Sequence, residues 1–297
     1  MADIHRILCP IDFSEASKHA LDHAVLIAGW YRARITAIHV RHPPFLVEPP
    51  ILFAAFDSAL PATIEDVESR LHNWLAPVRA AGITCDVMAV DGSDPASHIV
   101  HIAGRIQSDV IVLGTHGRSG FQRLLLGSVT EKVVRTARCP VVTVPPPSVA
   151  TSTLPFKRIV CAIDFSEPSI ESLRFAASLA GESSASLTLL HVIEFPPETD
   201  PMATLPFDMG GYRAAVQEDA SRRLADLLSD VQTTSPPVTK IAYGKPYEQI
   251  LSVAAELDTD LLVLGVHGRS AFNVMIFGST TNQVIRRATC PVLTLSR

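Results

Sequence analysis

The sequence predicts an α/β protein made of two tandem domains, each a doubly wound parallel sheet. Three observations predict it. The chain has 297 residues, more than one core usually holds and suited to two domains of about 150 residues each. It also repeats itself. HRILCPIDFSEASKHAL from His5 returns as KRIVCAIDFSEPSIESL from Lys157, an offset of 152 that also relates Asp12 to Asp164, His39 to His191 and Gly92 to Gly244. The offset then becomes 151, relating Pro95 to Pro246, Gly114 to Gly265, Gly127 to Gly278 and Cys139 to Cys290. The second copy is therefore one residue shorter just after Gly92. Finally, each copy alternates continuous apolar runs with helical patterns, and unbroken apolar strands belong to parallel sheets covered on both faces.

In the first copy Arg6–Ile11 reads as a buried strand. Ser14 is placed to cap the following helix, with Glu15 in its first turn. Leu21, Ala24, Val25 and Ala28 share one helical face, and Gly29 is the expected stop. Arg34–Val40 reads as the second strand, Glu65–Ala81 as a helix, Thr84–Val90 as the third strand and Ala96–Gln107 as a helix. Val110–Leu113 reads as the fourth strand, Thr130–Thr136 as a helix, and Pro140–Val144 as the closing strand. The second copy repeats the plan, with Pro168 in the first turn of its first helix, where proline is tolerated. The proline- and hydroxyl-rich stretch Pro145–Pro155 is the linker, giving domains 1–147 and 155–297.

Composition narrows the function. A net charge of −5 argues against nucleic acid as the main partner, since phosphate-backbone binding calls for a basic face. The N-terminal residues lack the pattern of a signal peptide, and no apolar run approaches the ~18–20 residues of a membrane helix. The expected location is the cytoplasm. The five cysteines show neither paired nor CxxC spacing and read as small buried hydrophobes in a reducing compartment. No residue pattern marks a catalytic base, a catalytic lysine or a metal-ligand set.

The informative stretch is GTHGRSGFQRLLLGS, Gly114–Ser128, repeated as GVHGRSAFNVMIFGS from Gly265 to Ser279. Each copy leaves the fourth strand at its C-terminal end, where open α/β sheets bind ligands. Gly114 and Gly117, like Gly265 and Gly268, permit close backbone approach. Gly127 and Ser128 open a helix whose free N–H groups and dipole suit a phosphate. Ser128 reads as the cap, and Glu131 completes a capping-box pattern. Thr130 adds a hydroxyl and Arg118 a charge; the second copy offers Arg269, Gly278, Ser279, Thr280 and Thr281. The spacing matches neither a Walker A loop nor the GxGxxG dinucleotide fingerprint.

Gly-x-x-Gly-x9-Gly-Ser after the fourth strand, an Asp ending the first, and a closing Cys-Pro-Val strand resemble the universal stress protein family. The resemblance covers nearly the whole chain and is to the tandem, ATP-binding branch. It implies a Rossmann-like, adenine nucleotide alpha hydrolase-like fold and ATP, with Mg, as ligand. Asp12 and Asp164 then resemble the acid on the ribose and metal side, and Val40 and Val192 the backbone contact to adenine. Gly114, Thr115, Gly117 and Gly127, Ser128, Val129, Thr130 resemble the ribose–triphosphate cradle, as do Gly265, Val266, Gly268 and Gly278 to Thr281. The resemblance further implies that the closing strands pair within one chain as an internal pseudo-dimer, and that two chains associate. An unpaired last strand would otherwise be an exposed edge.

Gly120, Arg123 and Thr115 correspond to Ala271, Val274 and Val266, which leaves the second site less basic and predicts weaker ATP binding there. His39 and His191 read as packed or hydrogen-bonded strand-end histidines, His116 and His267 as loop residues that are either exposed or in contact with phosphate, exposure being the commoner case, and Asp109 and Asp260 as structural acids at the wrong strand end. The differing segments 41–62 and 194–212 read equally as packed loops or as a lid or partner surface. The functional reading is a nucleotide-dependent stress-response regulator. A slow ATPase or self-phosphorylating enzyme, and a scaffold with vestigial sites, are the alternatives.

Overall fold

The computed structural model describes residues 3–42, 63–117, 126–146, 156–195, 209–229, 231, 233, 235–266 and 278–295. Domain one contains β1 (Arg6–Pro10), α1 (Glu15–Tyr31), β2 (Arg34–Arg41), α2 (Ile64–Trp74), α3 (Ala76–Ala80) and β3 (Cys85–Asp91). It continues with α4 (Pro95–Arg105), β4 (Val110–Gly114), α5 (Ser128–Thr136) and β5 (Val141–Val144). Domain two repeats this as β6 (Arg158–Ala162), α6 (Glu167–Ser183), β7 (Ser186–Ile193), α7 (Met209–Ser229) and β8 (Val238–Tyr243). It ends with α8 (Pro246–Glu256), β9 (Leu261–Gly265), α9 (Ser279–Arg287) and β10 (Val292–Leu295).

The strands form one ten-stranded sheet in the order β3-β2-β1-β4-β5-β10-β9-β6-β7-β8. Every pairing inside a domain is parallel, and the domains join through an antiparallel β5–β10 pair in the register Leu293 to Val142. Each closing strand thus covers the other's edge, as the apolar VVTV and VLTL runs require. Thr143 and Thr294 sit in the seam fully buried, and each hydroxyl donates to a carbonyl across it, at Val292 and Val141. Glu131 of α5 adds an ion pair to Arg286 of α9 at 3.6 Å.

Both faces are covered, and each covering layer runs through both domains. Leu21 of α1, Leu71 of α2, Leu173 of α6 and Leu224 of α7 belong to one core; Ile99 of α4, Val133 of α5, Ile250 of α8 and Val284 of α9 belong to the other. Phe156, just before β6, is buried against Trp30 of α1 at 5.5 Å, which fixes the start of the second domain on the first.

Three local expectations are corrected. Gly29 lies inside α1; the helix ends three residues later, where Arg32 takes the left-handed conformation at φ 53° and Ala33 donates to the Ala28 carbonyl. The helix expected over 65–81 is two pieces, because Pro77 has no N–H to continue the ladder. The N-cap of α5 is Gly127 rather than Ser128, with no side-chain cap, and Glu131 reaches Arg286 instead of closing a capping box.

Candidate functional site

In each half of the sheet the chain order reverses between two neighbouring strands, β1 and β4 in domain one, β6 and β9 in domain two. Such reversals open a crevice at the C-terminal strand ends. In domain two this crevice is a cavity of about 700 Å³. Its walls bring together Asp164 after β6, Val192 of β7, Gly265 at the end of β9, and Gly278, Ser279, Thr280 and Thr281 at the start of α9. Residues nearly 120 positions apart in sequence thus share one concavity. Gly268 and Arg269, like Arg118 in domain one, lie outside the described residues.

The cradle is built the same way twice. A Cβ at Gly114 would stand 3.1 Å from the backbone of Ala16, and one at Gly265 3.2 Å from Pro168 Cβ and the Ser169 nitrogen. Glycine there lets the first turn of α1 or α6 close onto the strand end. A Cβ at Gly117 would lie 2.9 Å from Asp12 Oδ2, so the first loop glycine and the strand-end acid touch. The loop is closed at its base when Gly127 N–H donates to Thr115 O at 2.9 Å and Gly278 N–H to Val266 O at 3.2 Å. Thr115 and Val266 are buried; their own N–H groups bond Val144 and Leu295. Thr130 Oγ1 donates to Gly114 O at 2.8 Å and Thr281 Oγ1 to Gly265 O at 2.9 Å, which ties each helix start to its strand end.

These bonds leave the helix starts open. The first helical turn bonds come from Glu131 N–H to Gly127 O and Asn282 N–H to Gly278 O. The N–H groups of residues 128–130 and 279–281 therefore have no acceptor within their helices, and no side chain caps either one. Three convergent N–H groups at the positive end of a helix dipole favour an anion.

Asp12 and Asp164 are held in matching turns, each accepting the N–H of Ser14 or Ser166 at 3.0 Å and that residue's hydroxyl. The next residues, Phe13 and Phe165, adopt φ of 63° and 64°, a conformation that costs a bulky residue on the order of 1–3 kcal/mol and concentrates at functional sites. Packing imposes it. Phe13 packs against His39 as a tilted pair with ring centroids 4.9 Å apart, and Phe165 against His191 at 4.5 Å. The guanidinium carbons of Arg70 and Arg223 lie over the Phe13 and Phe165 rings, each 3.9 Å from the ring centroid. His39 Nδ1 donates to Ile11 O at 2.6 Å and His191 Nδ1 to Ile163 O at 2.7 Å, since a carbonyl only accepts. Both histidines are hydrogen-bonded strand-end residues, as the sequence predicts. Val40 sits beside His39 at the end of β2, in register with Val90.

Sequence reasoning missed four features. The Arg70 and Arg223 caps sit on helices whose register to the strands follows unlike segments. Lys245, Tyr247 and Tyr212 line the domain-two cavity without a motif to mark them. Glu194 and Tyr212, on either side of the undescribed 196–208, both border it. In domain one, Thr115 Oγ1 and His116 Nδ1 lie 2.9 Å apart, and His116 Nε2 is buried without a partner among the described residues. The counterpart, His267, lies outside those residues, as do 43–62 and the pair Arg123 and Val274.

The remaining chemistry is quiet. All five cysteines are free; burial pushes the Cys139 thiol up to about 11 and Cys290 to about 12, and raises Cys9 and Cys161 further. Such thiols are poor nucleophiles. Asp109 Oδ2 accepts the N–H groups of His5 and Arg6 at 2.8 Å, and Asp260 Oδ2 those of Lys157 and Arg158 at 2.8 and 2.9 Å. Both acids are structural, at the strand end opposite the crevice. Among the described residues no three metal-ligating side chains cluster, and no helix is long and apolar enough to cross a membrane.

The sequence and the fold have clear relatives. A universal stress protein of Methanocaldococcus jannaschii is 32% identical over 148 residues, covering 48% of this chain and 82% of the relative. One from Mycolicibacterium smegmatis is 26% identical over 299 residues, covering 97% of this chain and 95% of the relative. The crystal structure of a universal stress protein from Archaeoglobus fulgidus superposes with a TM-score of 0.68 at 24% identity, covering 98% of this chain and 97% of that one, and shares the fold. The model of the universal stress protein family matches residues 3–145 and again 155–296. The chain therefore belongs to the universal stress protein family, in a tandem two-domain form.

Proposed function

We propose that the chain is a cytoplasmic, nucleotide-dependent stress-response regulator that binds ATP, with Mg, at one site in each domain and holds it as a signal. One observation carries the binding: the domain-two cavity joins an acid, a strand-end backbone and an uncapped glycine-led helix start in one crevice. The residues fit the ligand. Glycine at 265 and 278 lets the strand end close on the first turn of α6 and the helix start close on Val266, and the open N–H groups of α9 match phosphate oxygens. Val192 would meet adenine, Asp164 the ribose and the metal, and residues 278–281 the phosphates; Asp12, Val40 and 127–130 would do the same in domain one. The regulatory role and the pairing of two chains rest on family membership.

The test is to denature the purified protein and identify the released nucleotide by chromatography. ATP equimolar with the domains supports the reading. ADP in its place favours slow hydrolysis, and no nucleotide, with no binding on titration, leaves the cradles as turns alone.

A further inference from the structure

The two domains share a cradle but differ in the wall beside it. The difference falls where the repeat loses its residue. Domain one reads Gly92-Ser93-Asp94-Pro95 and domain two Gly244-Lys245-Pro246, so Lys245 takes the place of Asp94 as the N-cap of its helix. In domain one this position is closed. Asp94 accepts Ser97 N–H at 3.4 Å and Ser97 Oγ at 2.5 Å, and pairs directly with Lys132 of α5. Those partners hold its carboxyl at about 2. Lys132 is thereby committed, and the pair bridges α4 to the neighbouring helix that carries the cradle.

Domain two has Gln283 where Lys132 stands, so the bridge is gone. Lys245 lines the cavity together with residues 278–281. Its one ion-pair partner among the described residues is Glu248, 3.8 Å away, with the two side chains 66% and 48% exposed. That carboxylate oxygen, Glu248 Oε1, already accepts the Tyr247 hydroxyl at 2.7 Å. A loose, exposed pair of this kind is easily given up for a better anion. Tyr247, in place of the buried Ala96, forms the adjoining wall, with Arg287 5.1 Å from its ring centroid.

We propose that Lys245 is a specificity-determining residue that makes the domain-two site select nucleotides by phosphate charge, preferring triphosphate over monophosphate, whereas domain one lacks this selection. The proposal rests on the nucleotide reading above. An ammonium that reaches the ligand's anionic tail rewards each added charge, and the paired Lys132 has no such freedom.

The experiment isolates domain two in the full chain with Gly117→Asp, which sets a carboxylate against Asp12 in the first site. ATP and AMP are titrated by calorimetry at two salt concentrations, with and without Lys245→Gln. Lys245 is exposed, so the substitution leaves the fold intact; far-UV circular dichroism verifies this. The expected result is about a three- to fivefold loss of ATP affinity, the size of one exposed charge contact, and a weaker salt dependence. AMP affinity changes less than about twofold, and Lys245→Arg restores the preference because it keeps the charge. Unchanged ATP binding, or equal losses for ATP and AMP, overturns the assignment while leaving the nucleotide site standing. Failure of the unsubstituted chain to bind any nucleotide removes both.

Discussion

Replacing Gly278 with alanine separates a cradle built for contact from one that is a turn. Gly278 has φ −56° and Gly127 φ −59°, values any residue adopts. No backbone strain enters, and the effect is contact alone. A Cβ at 278 would stand 2.8 Å from Val266 O, against 3.1 Å from Thr115 O at 127. Val266 cannot retreat, since its N–H bonds Leu295 O at 2.8 Å and its side chain is 1% exposed. Relief must come from residue 278, which opens its 3.2 Å bond to Val266 O and displaces the start of α9. Overpacking of this kind costs ~1–3 kcal/mol, the lost hydrogen bond about 1. The stiffer unfolded chain gives back ~0.4–1 kcal/mol. Gly278→Ala is therefore expected to lose ~1–3.5 kcal/mol, and Gly127→Ala less than ~0.5, because a shift of a few tenths of an ångström suffices there. Both tryptophans, Trp30 and Trp74, lie in domain one. Their fluorescence reports the wrong half, so the assay is hydrogen exchange of the amides in β9 and α9. ATP titration should show domain-two affinity falling at least tenfold, since the N–H groups move off their target. Native exchange rates with unchanged ATP affinity would falsify the steric argument.

Three other expectations follow from the same packing. His23 is buried beside Phe156, and burial lowers its value from 6.5 to about 4. The folded state disfavours its proton, so stability is full above about pH 6.5 and falls as pH drops from there to about 4, by about 3 kcal/mol at 1.36 kcal/mol per unit; urea midpoints of His23→Phe, the residue found at 175, should lack that loss. Asp260→Ala removes the buried acceptor of two partly buried N–H groups and should destabilise domain two by ~2–3 kcal/mol while leaving the ATP stoichiometry unchanged, as calorimetry will show. A double-mutant cycle on Glu131 and Arg286, whose side chains are about one-third exposed, should give a coupling below ~1 kcal/mol that salt reduces.

The element order was legible because each strand is an unbroken apolar run and the chain states the pattern twice. Element ends were less so. A left-handed cap falls on whichever residue the packing leaves there, and at the end of α1 tertiary contact places Arg32, not the nearby Gly29, in that conformation. Pro77 was visible, yet the apolar period on both sides of it masks the break. The glycines could be read as a pair of cradles, but not what each one touches. That Gly117 meets Asp12, and Gly278 meets Val266, depends on distances no spacing encodes. The arginine–phenylalanine contacts were hidden for another reason. Arg70 and Arg223 are 153 residues apart, because segments of unlike length precede them, so neither the 152 nor the 151 register pairs them.

A repeat teaches what two copies share, and attention then goes to the matched positions. Within the motif the charge difference between the sites falls at Arg123 and Val274, which predicts a weaker second site. The described charge contrast lies elsewhere, at the deletion itself. Asp94 and Lys245 never face each other in a gap-free comparison, yet the fold makes them equivalent because each caps the helix that flanks its cradle. One is locked to Lys132, and the other stands in the cavity wall with a loosely held Glu248. The sign of the sequence-based contrast is thus opposed by the residue the motif left out. ATP titrations on the two single-domain knockouts, Gly117→Asp and Gly268→Asp, decide which wins: a tighter domain-two site makes Lys245 dominant, and a weaker one makes the loop arginine so.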